Sequence, residues 1–176
     1  STMRAALAAG AAIINDVSGL THDPDAAAVV AEYGCPVVLM HMRGTPATMN
    51  AEAIYQDVIA EVRAELLVRV EAVLRAGVRS DRIAIDPGLG FAKRATHSQA
   101  VLQGLAQFAD LGYPLLVGVS RKSFVGALSG EPDAARRLGG SLAAGLFAVL
   151  KGASILRVHD VRETVQALSV WQTLFK

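Results

Sequence analysis

The stretch "PLLVGVSRKSF", residues 114–124, joins a short apolar run to two adjacent cations flanked by serines. Four comparable runs occur elsewhere in the chain: "AIINDV" (12–17), "PVVLMHM" (36–42), "RIAID" (82–86) and "SILRVHDV" (154–161). The segments between them have helical periodicity, most clearly residues 51–77, where apolar residues recur every three or four positions and Gly77 closes the pattern. The sequence therefore predicts a strand–helix unit repeated five times.

Five alternating strands and helices predict an α/β fold with a parallel sheet. Two architectures fit this pattern. A five-stranded doubly wound parallel sheet matches the chain length of 176 residues. Part of a (β/α)8 TIM barrel is the other, because a complete barrel needs at least about 200 residues. Periodicity alone leaves both open.

The bulk composition limits the function classes. A net charge of +1 argues against a nucleic-acid or anionic-membrane partner. No stretch of about 18 apolar residues is present, so we expect no transmembrane helix. The single cysteine, Cys35, excludes an internal disulfide and fits a buried core position in a cytoplasmic protein. We expect one domain over residues 1–176.

Polar or charged side chains end all five predicted strands. They are Asn15 and Asp16, His41 and Arg43, Asp86, Ser120 to Ser123, and Arg157, His159 and Asp160. Ligands bind at the carboxyl ends of parallel strands in both candidate architectures. Five such ends in succession therefore predict a binding site at this edge of the sheet.

The charges at these ends indicate an anionic ligand. Arg121, Lys122, Arg157 and His159 follow the last two strands, and Arg43 follows an earlier one. In a nearly neutral protein such a cluster favours phosphate or pyrophosphate. The alternative for Arg121 or Arg157 is an ion pair with a neighbouring acid.

Asn15 and Asp86 favour a second kind of ligand group. A carboxylate accepts two N–H bonds and an amide both donates and accepts, which suits a flat heterocycle bearing an amino group. The alternative is a turn role for either residue. Dinucleotide and P-loop glycine spacings are lacking, and the four histidines are too dispersed to indicate zinc.

Five segments in the same order resemble the dihydropteroate synthase family: "INDVSG", "VLMHMRGTPATM", "IDPGLGFAK", "LLVGVSRKSF" and "ILRVHDV". The resemblance implies a (β/α)8 barrel in which these units are about strands four to eight. It implies a transferase of folate biosynthesis that joins 6-hydroxymethyl-7,8-dihydropterin pyrophosphate to p-aminobenzoate and releases pyrophosphate. It further implies Mg²⁺ as cofactor, inhibition by sulfonamides, and a homodimer formed through the last helices.

The same resemblance assigns residue roles. Asn15 and Asp86 match the residues that bind the amino-pyrimidine edge of the pterin, and Met40, Phe91 and Gly118 line its slot. Lys122 matches a lysine that contacts pterin and product. Arg157 and His159 match the pyrophosphate-binding pair, so Lys122, Arg157 and His159 are the expected catalytic residues. Arg121 and Ser123 are expected near p-aminobenzoate. No metal ligand is expected in this chain.

Nothing in the sequence corresponds to the family's first two strand–helix units, which include an asparagine that binds Mg²⁺. We therefore expect these 176 residues on their own to aggregate, to pair with a complementary piece, or to be part of a whole enzyme. Two other functions remain open. One is another pterin-binding barrel, such as a methyltetrahydrofolate-binding methyltransferase domain, and the other is a truncated, non-catalytic paralogue.

Overall fold

The computed structural model describes residues 2–175. Its five strands coincide with the five apolar runs, although each is shorter than the run that predicted it. Their bounds are β1 Ile14–Asp16, β2 Val37–Met40, β3 Ile83–Asp86, β4 Leu116–Val117 and β5 Ile155–Leu156. All pairings are parallel, so the α/β fold with parallel sheets predicted from the sequence is confirmed.

The strands follow one another in space in the order of the chain. β1, β2 and β3 form one sheet and β4 and β5 a second. A bridge between Ile85 and Leu115 connects the two, with the Ile85 amide donating to the Pro114 carbonyl at 2.9 Å. A doubly wound sheet reverses its strand order at a switch point. Because the order in residues 2–175 shows no reversal, that alternative is wrong.

Helices connect the strands and flank them. Their bounds are α1 Thr2–Ala8, α2 Ala26–Tyr33, α3 Val58–Arg75, α4 Ala95–Gln103, α5 Ala106–Ala109, α6 Ser123–Ser129, α7 Leu138–Leu150 and α8 Val161–Leu174. Short 3-10 turns cover Ser80–Arg82 and Ala134–Arg136. Within residues 2–175, no helix combines the length and apolar character needed to span a bilayer.

Helix α3 illustrates how the apolar repeat produces the core. Val62, Leu66, Val70 and Val73 form one face and are all buried against the sheet. The predicted start at residue 51 is wrong, because the helix begins only after Asp57. That carboxylate accepts hydrogen bonds from the second and third helical amides, at 3.0 Å each, and so ends the preceding loop.

Helix α6 was not predicted. It begins at Ser123, inside the stretch that suggested a ligand-binding loop. The apolar residues Phe124 and Val125 are buried, while Gly130 ends the helix with φ +71°. The helix is only seven residues long, too short for periodicity to distinguish it from a loop. Its start places the backbone of Arg121 and Lys122 at the carboxyl end of β4.

Candidate active site

Asp86 ends β3 in a buried position, 2% exposed, directly beside Met40 of β2 in the strand register. Its Oδ1 accepts a 2.7 Å hydrogen bond from the Gly88 amide, which fixes the carboxylate in the turn that follows the strand. Burial raises the pKa of Asp86, and the positive charges of Lys122, Arg157 and Lys93 oppose that rise. The carboxylate is thus surrounded by cations that favour its ionised form.

Lys122 extends from the start of α6 toward the loop that follows β3. Its Nζ donates a hydrogen bond to the Leu89 carbonyl and lies 5.0 Å from the centre of the Phe91 ring. Burial lowers the pKa of Lys122 to about 8, although the charge of Asp86 acts in the opposite direction. The predicted proximity of Lys122, Asp86 and Phe91 is therefore present in the structure.

Arg157 and His159 leave β5 beside the end of β4. His159 Nδ1 lies 3.0 Å from the Ser120 hydroxyl, and its backbone amide donates to the same oxygen at 3.2 Å. Gly118 faces the Arg157 guanidinium so closely that a β-carbon there would lie 2.9 Å from a guanidinium nitrogen. A side chain at residue 118 would displace that guanidinium.

A cleft of about 640 Å³ lies at the carboxyl ends of β4 and β5. Its lining includes the predicted residues Phe91, Gly118, Arg121, Lys122, Arg157 and His159. The volume suits a small organic ligand. Four of the six carry or can carry positive charge, so the cleft can bind an anion.

Arg121 forms an ion pair with an acidic residue, which is the alternative to ligand binding that the sequence left open for it. Its guanidinium forms a salt bridge with Asp160, and its backbone has φ +60°. Arg157 makes no salt bridge within residues 2–175, so of these two arginines only Arg157 keeps an uncommitted charge there. Ser123 is exposed at the first position of α6.

Met40 is paired with Asp86 in the strand register, whereas Asn15 lies on β1, two strands away from β3. Asn15 is exposed on β1 opposite Val38. Met40 is buried, and Phe91 packs on the small cluster that it forms with Met42 and Ala92. The predicted slot residues Met40 and Phe91 are therefore in one apolar group.

The expectation that Arg43 joins the cation cluster is wrong. Its guanidinium binds Glu61 at 2.7 Å and also binds Glu65, and it lies 4.0 Å from the Tyr55 ring centre. Two carboxylates on α3 thus neutralise it. Sequence could not reveal this, because the helix face that meets Arg43 depends on how α3 packs.

Lys93 is a polar residue of this region that the sequence analysis overlooked. It is 7% exposed, and its Nζ lies 2.8 Å from His41 Nδ1. Burial lowers the pKa of Lys93 to about 7 and that of His41 to about 4. A lysine in a predicted loop would ordinarily be solvated, so no pattern in the sequence marked it.

Comparison with known proteins agrees with this geometry. Residues 1–159 match the model of a family described as pterin binding enzyme. The chain belongs to the pterin-binding enzyme family. The match covers all five strands, and it ends at His159, the last residue of the cleft.

Relatives of this chain include the dihydropteroate synthase of Synechocystis sp., 42% identical over 173 residues, with 98% of this chain and 60% of that protein covered. Among solved structures, Xanthomonas albilineans dihydropteroate synthase with 4-aminobenzoic acid is 46% identical with a TM-score of 0.92, covering 98% and 61%. Thermus thermophilus dihydropteroate synthase in complex with 6HMPPP is 48% identical, with a TM-score of 0.93 and coverage of 97% and 67%. The chain spans about three fifths of the length of the curated relatives it matches.

Within residues 2–175, no group of three or more His, Cys, Asp or Glu side chains is arranged to hold a metal ion.

Proposed function

We propose that the protein is a dihydropteroate synthase, which condenses 6-hydroxymethyl-7,8-dihydropterin pyrophosphate with p-aminobenzoate and releases pyrophosphate. The observation that carries this proposal is the cleft lined by Lys122, Arg157 and His159. The charges of Lys122 and Arg157 also act on the buried carboxylate of Asp86. The carboxylate suits the amino edge of a pterin, and the cations suit the pyrophosphate. Relatives and structural neighbours named dihydropteroate synthase support it.

In the proposed reaction the amino nitrogen of p-aminobenzoate attacks the methylene carbon of the pterin substrate. The carbon–oxygen bond to pyrophosphate breaks, its electron pair leaves with pyrophosphate, and the nitrogen releases one proton to solvent. Arg157 and His159 would stabilise the charge that builds on the leaving group, because positive charge beside the departing oxygens offsets the developing negative charge. Asp86 and Asn15 would orient the pterin.

The positions of the neighbouring residues suggest which of them would form the walls of the pterin slot. Met40 and Phe91 would contact the ring faces, and Gly118 would leave room for the substrate and for Arg157. Arg121 and Ser123 would border p-aminobenzoate or a sulfonamide. The salt bridge to Asp160 holds Arg121 at the cleft rim.

We also propose that Mg²⁺ reaches the site with the pyrophosphate of the substrate. Mg²⁺ in proteins is commonly bound by one or two carboxylates together with substrate phosphates. A cytoplasmic location likewise stays a prediction.

The five strand–helix units are proposed to be strands four to eight of a (β/α)8 barrel, within a single pterin-binding domain over residues 1–176. The sequential parallel strand order supports this, and so does the TM-score of 0.92 to a dihydropteroate synthase. A methyltetrahydrofolate-binding domain is disfavoured, because it would have no use for the cations that follow β4 and β5. A non-catalytic paralogue is disfavoured by the arrangement of Asp86, Lys122 and Arg157 in one site.

A homodimer through α7 and α8 is proposed as well. The two helices share an apolar surface that includes Leu142, Leu146, Val170, Trp171 and Leu174. Val170 is 57% and Leu174 76% exposed, which is unusual for a helix face that contacts only water. Light scattering after size-exclusion chromatography would give a dimer mass, and Val170→Glu would shift it to the monomer.

The functional proposal is tested with the purified protein, 6-hydroxymethyl-7,8-dihydropterin pyrophosphate, p-aminobenzoate and Mg²⁺. Substrate binding is measured by thermal shift and pyrophosphate release by a coupled assay. We expect saturable binding that Lys122→Ala and Arg157→Ala weaken by about tenfold or more, the loss typical of a charge-assisted hydrogen bond. Arg79→Ala is the matched control, since Arg79 pairs with Asp81 on an exposed turn. Binding without pyrophosphate release would favour the non-catalytic alternative, and no binding would refute the proposal.

A further inference from the structure

Lys93 has a hydrogen-bond acceptor for each of its three ammonium protons. Its Nζ lies 2.8 Å from His41 Nδ1, 3.2 Å from the Gly88 carbonyl and 3.1 Å from the Phe91 carbonyl. A buried ammonium group is stable only when its donors are satisfied. The geometry matches the charged form of lysine, and both carbonyls belong to the loop that forms one wall of the proposed pterin slot.

The hydrogen bond from Lys93 also determines the protonation of His41. Since Nδ1 accepts from the ammonium group, the ring proton lies on Nε2, which donates to Glu65 at 2.9 Å. Glu65 in turn binds Arg43. His41 is fully buried, so its ring has no solvent to replace either partner. Lys93, His41 and Glu65 thus form a directed chain of hydrogen bonds from the slot loop to α3.

The loop from Gly88 to Phe91 is held from two sides. Lys93 binds the first and last carbonyls of this segment, and Lys122 binds the Leu89 carbonyl between them. The Gly88 amide meanwhile donates to Asp86. The loop therefore connects both lysines to the carboxylate that ends β3.

We propose that Lys93 is a positioning residue for pterin binding. It fixes the loop between Asp86 and Phe91, and so determines where the Asp86 carboxylate and the Phe91 ring lie. His41 in turn orients Lys93. This inference rests on the proposed function. The loop residues would contact the pterin directly, whereas Lys93 acts through them. Its loss should weaken pterin binding more than it disturbs the rest of the cleft.

The test compares Lys93→Met, His41→Asn and His41→Gln with the unmodified protein. It uses Lys151→Met as a control, at the residue that follows α7. The Asn amide oxygen can occupy the place of Nδ1 and still accept from Lys93. The Gln amide nitrogen instead occupies the place of Nε2 and keeps only the Glu65 contact. The affinity for 6-hydroxymethyl-7,8-dihydropterin pyrophosphate is measured by calorimetry below pH 7, and the unfolding temperature is measured without ligand.

We expect Lys93→Met and His41→Gln to weaken binding by about tenfold, as for loss of a charge-assisted hydrogen bond. His41→Asn should bind the pterin substrate at least several-fold more tightly than His41→Gln. Lys151→Met should leave the affinity unchanged. A merely structural role predicts affinities that follow the unfolding temperatures, with no preference for Asn over Gln. Equal binding by the two His41 variants would overturn the inference, even if Lys93→Met fails to fold. Absence of binding by the unmodified protein would instead refute the proposed function.

Discussion

Gly88 is the position where the structure makes the sharpest energetic prediction. Its backbone has φ +67°, and a β-carbon built there would lie 1.9 Å from the His41 carbonyl oxygen. Real β-carbons essentially never approach another atom closer than 3.0 Å. The atom in the way is the backbone carbonyl oxygen of His41, the residue that follows β2. The amide of the same residue donates to the Asp86 carbonyl at 2.8 Å, so the His41 backbone cannot move without breaking this hydrogen bond between the ends of β2 and β3.

The expected cost of Gly88→Ala has two parts. The left-handed conformation costs an alanine about 1–2 kcal/mol. Overpacking against backbone adds about 1–3 kcal/mol, so the free energy of unfolding should fall by about 2–5 kcal/mol in total. Gly112→Ala is the matched control, because Gly112 has φ +80° with nothing within 4 Å of the built β-carbon. It should show the conformational part alone.

Both variants reduce the entropy of the unfolded chain equally, so this contribution cancels in their difference. Urea unfolding followed by circular dichroism would measure the two free energies. Gly88→Ala should be less stable than Gly112→Ala by about 1–3 kcal/mol, the packing part of the cost. Equal stabilities would mean that Gly88 does not lie against His41 in solution, and the placement of the slot loop would then be wrong.

Three further predictions concern the cleft and its supports. Lys122 should lose its proton near pH 8 instead of 10.5. Between these pH values the unfolded chain binds more protons than the folded chain, so the free energy of unfolding should rise with pH while the affinity for pyrophosphate falls. Lys122→Met should abolish the part of both changes that comes from Lys122. Gly118→Ala should keep the unfolding temperature within a few degrees of that of the unmodified protein, since the exposed Arg157 can move aside. It should nevertheless weaken pyrophosphate binding, measured by calorimetry, by about tenfold. Unchanged binding would argue against Arg157 as a ligand of pyrophosphate. Asp57→Ala should cost about 1 kcal/mol in urea unfolding, because α3 loses its N-cap, and an unchanged midpoint would contradict the capping geometry.

Within residues 2–175, the apolar runs located all five strands. For β2, β3 and β4 the reason is that a buried parallel strand must be apolar on both faces, whereas β1 and β5 are largely exposed. They also predicted that Asp86, which ends β3, and the polar residues that follow β4 lie at one edge, since parallel strands end together. Helix boundaries were less predictable. Residues 51–57 continue the apolar repeat of α3, but Asp57 caps the helix and Ile54 is 71% exposed outside it.

By itself, the sequence determined the α/β class, the five strand positions and four residues, Arg121, Lys122, Arg157 and His159, that line one cleft. Only the tertiary structure decided the strand order, which depends on how the helices pack. It also decided that Arg43 is neutralised by α3 and that Lys93 is buried against His41. These last two outcomes depend on contacts between residues more than 17 positions apart, and side-chain patterns along the chain do not specify which distant partners a charge will meet.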